Sequence, residues 1–239
     1  VRNYFQRGPR LVAEAGISGY MFQTADESVL SGGLLGLSIY GRSAQCGSLS
    51  GVGSRAWTNG VIGGCYFEDF AQQCFNNDNV AGSATIGANS LNFINNFFSG
   101  NQGTLTGRQG VVHITGADHY FKNNEISGHG RLTITNASLY DVALRVSCSN
   151  SFFGPGNFVE NGDIGLEVVN GTSGYGNPSL NKYVGIRSDT NAGHGLVLTG
   201  GAFEHFTSCA FYRNSLAADN TYDNINVASG GGSQNNFDF

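Results

Sequence analysis

Two segments of the chain, Phe93 to Asn101 (FINNFFSGN) and Phe121 to His129 (FKNNEISGH), share a leading Phe, an Asn-Asn pair, a Ser-Gly and a closing Asn or His, offset by 28 residues. A unit of that size, made of short apolar runs separated by Asn and Gly, cannot bury its own hydrophobic face. It has to stack on copies of itself, which restricts the chain to a solenoid. Thirty-seven glycines would suit disorder, but 40% hydrophobic and 12% aromatic content supplies the apolar surface needed to offset the entropy of ordering. Three prolines, 12% charged residues and no run of helix formers at helical spacing point to an ordered all-β domain.

The offset serves as a ruler along the rest of the chain. Short strands with apolar residues two apart end at Ile86, Ile114, Ile134, Val168, Leu198 and Val227, in steps of 28, 20, 34, 30 and 29 residues. The uneven pair of steps places an insertion in Ser147 to Gly156 or in Asn170 to Pro178. Upstream of these ends sit Phe75, Phe98, Ile126, Val159, Ile186 and Phe211, each followed by a polar turn, and earlier still Phe67, Phe93, Phe121, Phe153, Leu180 and Phe206. Three strands per repeat, joined by turns in which Gly or Asn takes positive φ, describe one coil of a parallel β-helix. Equivalent residues of successive coils then lie about 4.8 Å apart, so Asn95-Asn96 and Asn123-Asn124 are placed to stack as amide ladders. The expected fold is a single-stranded parallel β-helix of seven to nine rungs, a rod of about 35 to 45 Å. One domain is expected over 1–239, with a lead-in over 1–18 and stacked rungs over 19–239, as a piece of a longer chain.

The runs GLLGLSIYG at Gly33 to Gly41, IGGCYF at Ile62 to Phe67 and NNFFSGN at Asn95 to Asn101 resemble the repeats of the pectate-lyase-like β-helix superfamily. Within it, GPRLVAEAG at Gly8 to Gly16, followed by GYMFQTADESVLSGGLLGLSIYG at Gly19 to Gly41, resembles the start of the central domain of bacteriophage tailspikes and depolymerases. The resemblance implies a right-handed helix, a homotrimer on a virion tail or otherwise outside the cell, other tail proteins as partners, and a bacterial surface polysaccharide as ligand.

Bulk chemistry narrows the partners. The net charge is −5 and the twelve Lys and Arg are scattered singly, which argues against nucleic acid. No stretch approaches the roughly 20 apolar residues that span a bilayer, and the first residues lack the apolar core of a signal peptide, so membrane insertion is not expected. Cys46, Cys65, Cys74, Cys148 and Cys209 have irregular spacing and no CxxC pair, which disfavours a zinc site and suits burial as small apolar residues. No Asp-x-Asp or Asp-Asp cluster, phosphate loop, GxSxG or HExxH occurs, so no metal or cofactor is expected.

A stacked coil offers long shallow surfaces suited to an extended polymer. Glycoside hydrolysis needs two carboxyl groups, roughly 5 to 5.5 Å apart for retention and 6.5 to 9.5 Å for inversion. After the apolar positions Ile126, Val159, Ile186 and Phe211 come Ser127, Glu160, Arg187 and Tyr212, with His129, Asp163, Asp189 and Arg213 close behind. Glu160 and Asp163 are candidate acid and base or nucleophile, and Asp189 is a third carboxylate beside them. Arg187 and Arg213 are candidate ligands for an acidic sugar, and Tyr212 a stacking platform. The competing reading is a surface Glu160–Arg187 ion pair worth under about 1 kcal/mol. A second column, Thr85, His113, Thr133, Glu167, Val197 and Asn226, is expected to face outward and to bring Glu167 and His113 to the same groove. Glu125 replaces Phe97 of the twin motif and joins the catalytic candidates, while Glu68-Asp69, Asp118-His119 and Glu204-His205 are weaker ones, with Asp118 and Glu204 on one edge.

The leading expectation is an endo-acting glycoside hydrolase of the depolymerase kind that binds and cleaves a capsule, O-antigen or exopolysaccharide. A non-enzymatic carbohydrate-binding rod and a polysaccharide lyase remain alternatives.

Overall fold

The computed structural model describes residues 8–23, 31–54, 57–77, 88–100, 109–128, 141–171, 177–217, 223–229, 232 and 234–238. Among them 24 strands, from Arg10–Val12 to Asn236–Asp238, form three eight-stranded parallel sheets, and every third strand belongs to the same sheet. No helix occurs among the described residues. The chain is a parallel β-solenoid in which each turn contributes one strand to each sheet. In each sheet the first and last of the eight strands have a partner on one side only, so about six turns of about 29 residues are flanked on both sides, slightly fewer than the seven to nine rungs expected.

Pairing across turns superposes like residues. On the inward side of the third sheet Phe93, Phe121, Phe153, Tyr183, Phe206 and Phe237 are in register. Their rings stack at centroid distances of 4.2, 4.9, 5.0, 4.3 and 4.9 Å. Each fully buried ring contributes about 2 to 3 kcal/mol of hydrophobic stabilisation. The first sheet adds Phe67 stacked on Phe98 at 5.0 Å, and the second an aliphatic row of Val112, Leu144, Leu166 and Leu196.

Corners need polar satisfaction, and the expected asparagine ladder supplies it. Asn96, Asn124 and Asn157 are buried in one column. Asn124 Oδ1 accepts from Asn96 N and Asn96 Nδ2, both at 3.0 Å, and Asn157 Oδ1 accepts from the corresponding two donors of Asn124 at the same distance. Their amide groups also donate to carbonyls of the third sheet, at Ile62 O, Phe93 O and Phe121 O. Every one of these groups would otherwise be buried without a partner. Next to this column Asn95 and Asn123 turn the chain at φ 56° and 54°, and Asn123 Nδ2 donates to Asn95 Oδ1 at 3.2 Å on the surface. Asn tolerates this left-handed conformation better than other side chains do.

The register departs from the sequence expectation in four places. Tyr183, not Leu180, fills the aromatic stack, because Leu180 is an exposed corner residue at φ 59°. Ser188, not Ile186, aligns with Val159 and Phe211. The Ser188 hydroxyl donates to Gly195 O at 2.8 Å and accepts from Asn191 Nδ2, so a polar residue sits in the core fully satisfied. Phe75 belongs to the second sheet opposite Val112, and Phe67 takes its place in the first. Strand Asp141–Ser149 follows Gln109–Ala117 in the second sheet, so Val146 rather than Ile134 aligns with Ile114; Ile86 and Ile134 lie outside the described residues. The same long strand argues against the insertion at Ser147 to Gly156. No disulfide joins the five cysteines, all of which are buried.

Replacing Asn124 by Ala leaves up to four buried polar groups short of a partner and is expected to cost about 3 to 5 kcal/mol in urea unfolding. Asn123→Ala, on the surface, should cost about 1 kcal/mol, and Asn123→Gly about 0.5 kcal/mol or less. Equal losses for Asn124→Ala and Asn123→Ala would show that the buried ladder does not stabilise the coil.

Candidate functional site

In the first sheet the residues that alternate with the inward stack form two outward columns. One carries Arg10, Ser38, Tyr66, Phe97, Glu125, Phe158, Arg187 and Ala210, and the other Val12, Tyr40, Glu68, Ser99, Ser127, Glu160, Asp189 and Tyr212. The pleat turns these side chains away from the core whatever their type. Aromatic and ionisable groups therefore meet on one face in a chain that has few charges. Tyr66 and Phe97 stack at 4.5 Å. Toward the start of the sheet a shallow depression is lined by Arg10, Ser38, Tyr40, Tyr66 and Glu68, with the Arg10 guanidinium 4.8 Å from the Tyr40 ring centre.

Arg187 organises the other end of this face. Its Nη2 and Nε donate to Asp189 Oδ2 at 2.6 and 3.2 Å. Its guanidinium carbon lies 5.5 Å from the centre of the Phe158 ring and 5.2 Å from that of Tyr212. Asp189 is buried, and its hydrogen bond to Arg187 raises the arginine's pKa. The sequence suggested a Glu160–Arg187 pair. The ion pair runs instead within one strand to Asp189, because Arg187 and Asp189 sit two residues apart on the same side. Glu160 pairs in register with Asp189 and accepts a hydrogen bond from Asn161 Nδ2 at 3.2 Å, an amide that also donates to Ser127 Oγ at 3.1 Å. Glu125 is half-buried, one turn before Phe158 and diagonal to Glu160. One strand spacing and two residues along the strand separate the Glu125 and Glu160 backbones by about 8 Å.

The remaining candidates are placed elsewhere. Asp163 lies in the short turn between the first and second sheets and is 1% exposed, so the expectation that it lines an open groove is corrected. His113 and Glu167 do point away from the core on the second sheet, yet they are 4% and 0% exposed. Val197, in register with Glu167, belongs to a separate apolar cluster with Val142 and Ile164. Arg145, which sequence reasoning passed over, stands between them in the column, with Nε 3.1 Å from Glu167 Oε2. Burial, and then Arg145, lower the His113 pKa to about 3. Arg213 is an exposed corner residue just past Tyr212 at φ 53°. His129, Thr85 and Thr133 lie outside the described residues.

Asp118 and Glu204 lie at the same corner, one position apart, but only Asp118 faces solvent. Asp118 is exposed and accepts from Asn150 Nδ2 at 2.6 Å, whereas Glu204 is buried in a second polar ladder. There Asn181 Oδ1 accepts from Ser151 N at 2.9 Å, Asn181 Nδ2 donates to Glu204 Oε2 at 3.0 Å, and Glu204 N donates to Asn235 Oδ1 at 3.0 Å. Burial pushes the Glu204 carboxyl up to about 7, against the stabilising hydrogen bond from Asn181. Three turns before Glu204, His119 Nδ1 accepts from Leu91 N at 3.2 Å while Nε2 meets Thr115 O at 2.7 Å, an arrangement that fits the neutral ring. Burial lowers its pKa to about 4.

A parallel β-solenoid with one aromatic and acidic outward face belongs to a recognisable structural class. No protein-family model matches the sequence, and no curated protein matches it. In structure the chain is similar to the Dettilon tailspike protein, with a TM-score of 0.51 at 11% identity over 96% of this chain and 52% of that one. The chain spans about half the length of the tailspike it matches, and the likeness is one of fold. The fold is thus a tailspike-like β-helix, as the sequence resemblance implied.

Glu204 gives a signed pH dependence. Its folded pKa of about 7 exceeds the ordinary 4.5, so the folded state binds the proton more tightly and stability falls as pH rises between those values. The loss amounts to about 3 kcal/mol. Glu204→Gln is expected to raise stability at pH 8 by up to that amount, with the gain vanishing near pH 4.5. His113 and His119, held neutral, act with the opposite sign, removing stability as pH falls below about 6.5. Denaturant unfolding of the wild type and Glu204→Gln across this range checks both signs.

Proposed function

We propose that the protein binds an extended bacterial surface polysaccharide along the outward face of the first sheet and cleaves it by glycoside hydrolysis. The observation that carries this reading is the interleaving of rings and carboxylates in two adjacent columns, with Glu125 diagonal to Glu160 and with Phe158 and Tyr212 beside them. Aromatic faces pack against the C–H faces of pyranose rings, while carboxylates accept hydrogen bonds from the hydroxyls. A backbone separation of about 8 Å lets the two carboxyl groups stand at the roughly 6.5 to 9.5 Å used for inversion, with a water between sugar and base. Glu160, held by the Asn161 amide, takes the proton of that water as its oxygen attacks the anomeric carbon. Glu125 protonates the departing glycosidic oxygen, and both products leave with their hydroxyls complete.

The similarity in fold to a tailspike supports the same reading. In it the chain works on a virion tail, outside the cell, as a homotrimer with other tail proteins as partners. Arg213, at the corner beyond Tyr212, is a candidate for the rim of the site.

Incubation with capsule, O-antigen and exopolysaccharide preparations should release new reducing ends without the ultraviolet absorbance of an unsaturated sugar. Absorbance together with reducing ends would mean elimination, and tight binding with neither would mean an adhesive rod. Glu160→Gln and Glu125→Gln should each lower turnover by about 10² to 10⁴-fold. Tyr212→Ala should weaken binding by about tenfold. Full turnover in both carboxamide variants would remove the pair from the mechanism.

A further inference from the structure

The cation at this end of the face is already committed. Arg187 donates twice to the same oxygen of Asp189, and Asp189 is 3% exposed. Taking the guanidinium away would leave a buried carboxylate without its counter-charge, a strongly unfavourable exchange. The rings of Phe158 and Tyr212 lie beside the guanidinium as well, their centres 5.5 and 5.2 Å from its central carbon. The other cation in these two columns, Arg10, stacks on Tyr40 at the far end of the sheet. Against these two stand the carboxylates Glu68, Glu125, Glu160 and Asp189, in a chain whose net charge is −5.

We infer that the face takes an uncharged glycan, and that Arg187 serves as the middle layer of a Phe158, Arg187, Tyr212 platform rather than as a ligand for an acidic sugar. The inference rests on the polysaccharide-binding reading above and names its substrate class. A neutral glycan presents hydroxyl donors that match acceptor-only carboxylates, and its ring lies on the platform. A glycan bearing carboxylate or sulfate meets four carboxylates against two guanidinium groups, one of them paired with Asp189 and the other, Arg10, at the far end of the sheet. Arg213 stands at the corner beyond Tyr212, off the strand face.

The test is an array in which each acidic bacterial polysaccharide is printed beside its carboxyl-reduced form, together with neutral capsule and O-antigen polymers. Binding is expected among the neutral and reduced polymers, with affinity changing by less than about twofold as salt is raised, as for a contact without net charge pairing. Tighter binding to an acidic polymer than to its reduced form overturns the inference and leaves the binding reading standing. No binding to any polymer overturns the binding reading itself, and the inference with it. Asp189→Asn releases the guanidinium, and the variant is expected to gain about two- to fivefold in affinity for polygalacturonate, equivalent to one added exposed charge contact. No gain, in a variant whose circular dichroism matches the wild type, counts against the committed role of Arg187.

Discussion

Each strand hydrogen-bonds to its equivalent one turn away, and this constraint governs the rest of the structure. Because the partner of every residue is the same position of a neighbouring turn, like side chains superpose. The alternation of the pleat then assigns each column to core or solvent. Phe93 lies over Phe121 at 4.2 Å, Asn96 hydrogen-bonds Asn124 at 3.0 Å, and left-handed corner residues recur at Asn95 and Asn123. The acidic, aromatic face is a product of the same superposition, since nothing else in the fold would bring Glu125, Glu160 and Tyr212 into neighbouring columns.

The parts of the fold written as repeated residue types were legible in the sequence. FINNFFSGN and FKNNEISGH gave the strands, the stacking of the Asn pairs, and the equivalence of Phe97 with Glu125. Legibility failed where a position kept its geometry but changed its chemistry. Asn157 continues the ladder without a second Asn beside it, so no pair marked it. Ser188 stands in a column of apolar residues, satisfied by Gly195 O and Asn191, and the apolar Ile186 nearby was the more attractive choice. That substitution displaced Arg187 from its true column.

The candidate site shows a further limit of reading one strand at a time. Glu167 and His113 were rightly placed opposite the core in register, but burial depends on what lies over a face, and Val142, Ile164 and Val197 form an apolar cluster on that side. Arg145 supplies the charge that a buried Glu167 requires, two groups made intelligible only by their pairing. Phe158 likewise reads as an ordinary strand aromatic until Arg187 is seen beside its ring.

The linkers between the first and second sheets differ widely in length, while the sheets themselves stay in register. Three residues separate Phe158–Glu160 from Ile164–Val168, but thirteen separate Glu125–Ser127 from Asp141–Ser149. The core columns pass through both intervals unbroken. Evolution can therefore lengthen or shorten the border of the acidic face one turn at a time without repacking the interior. In a protein of this build, a change along that border need not carry a penalty in folding.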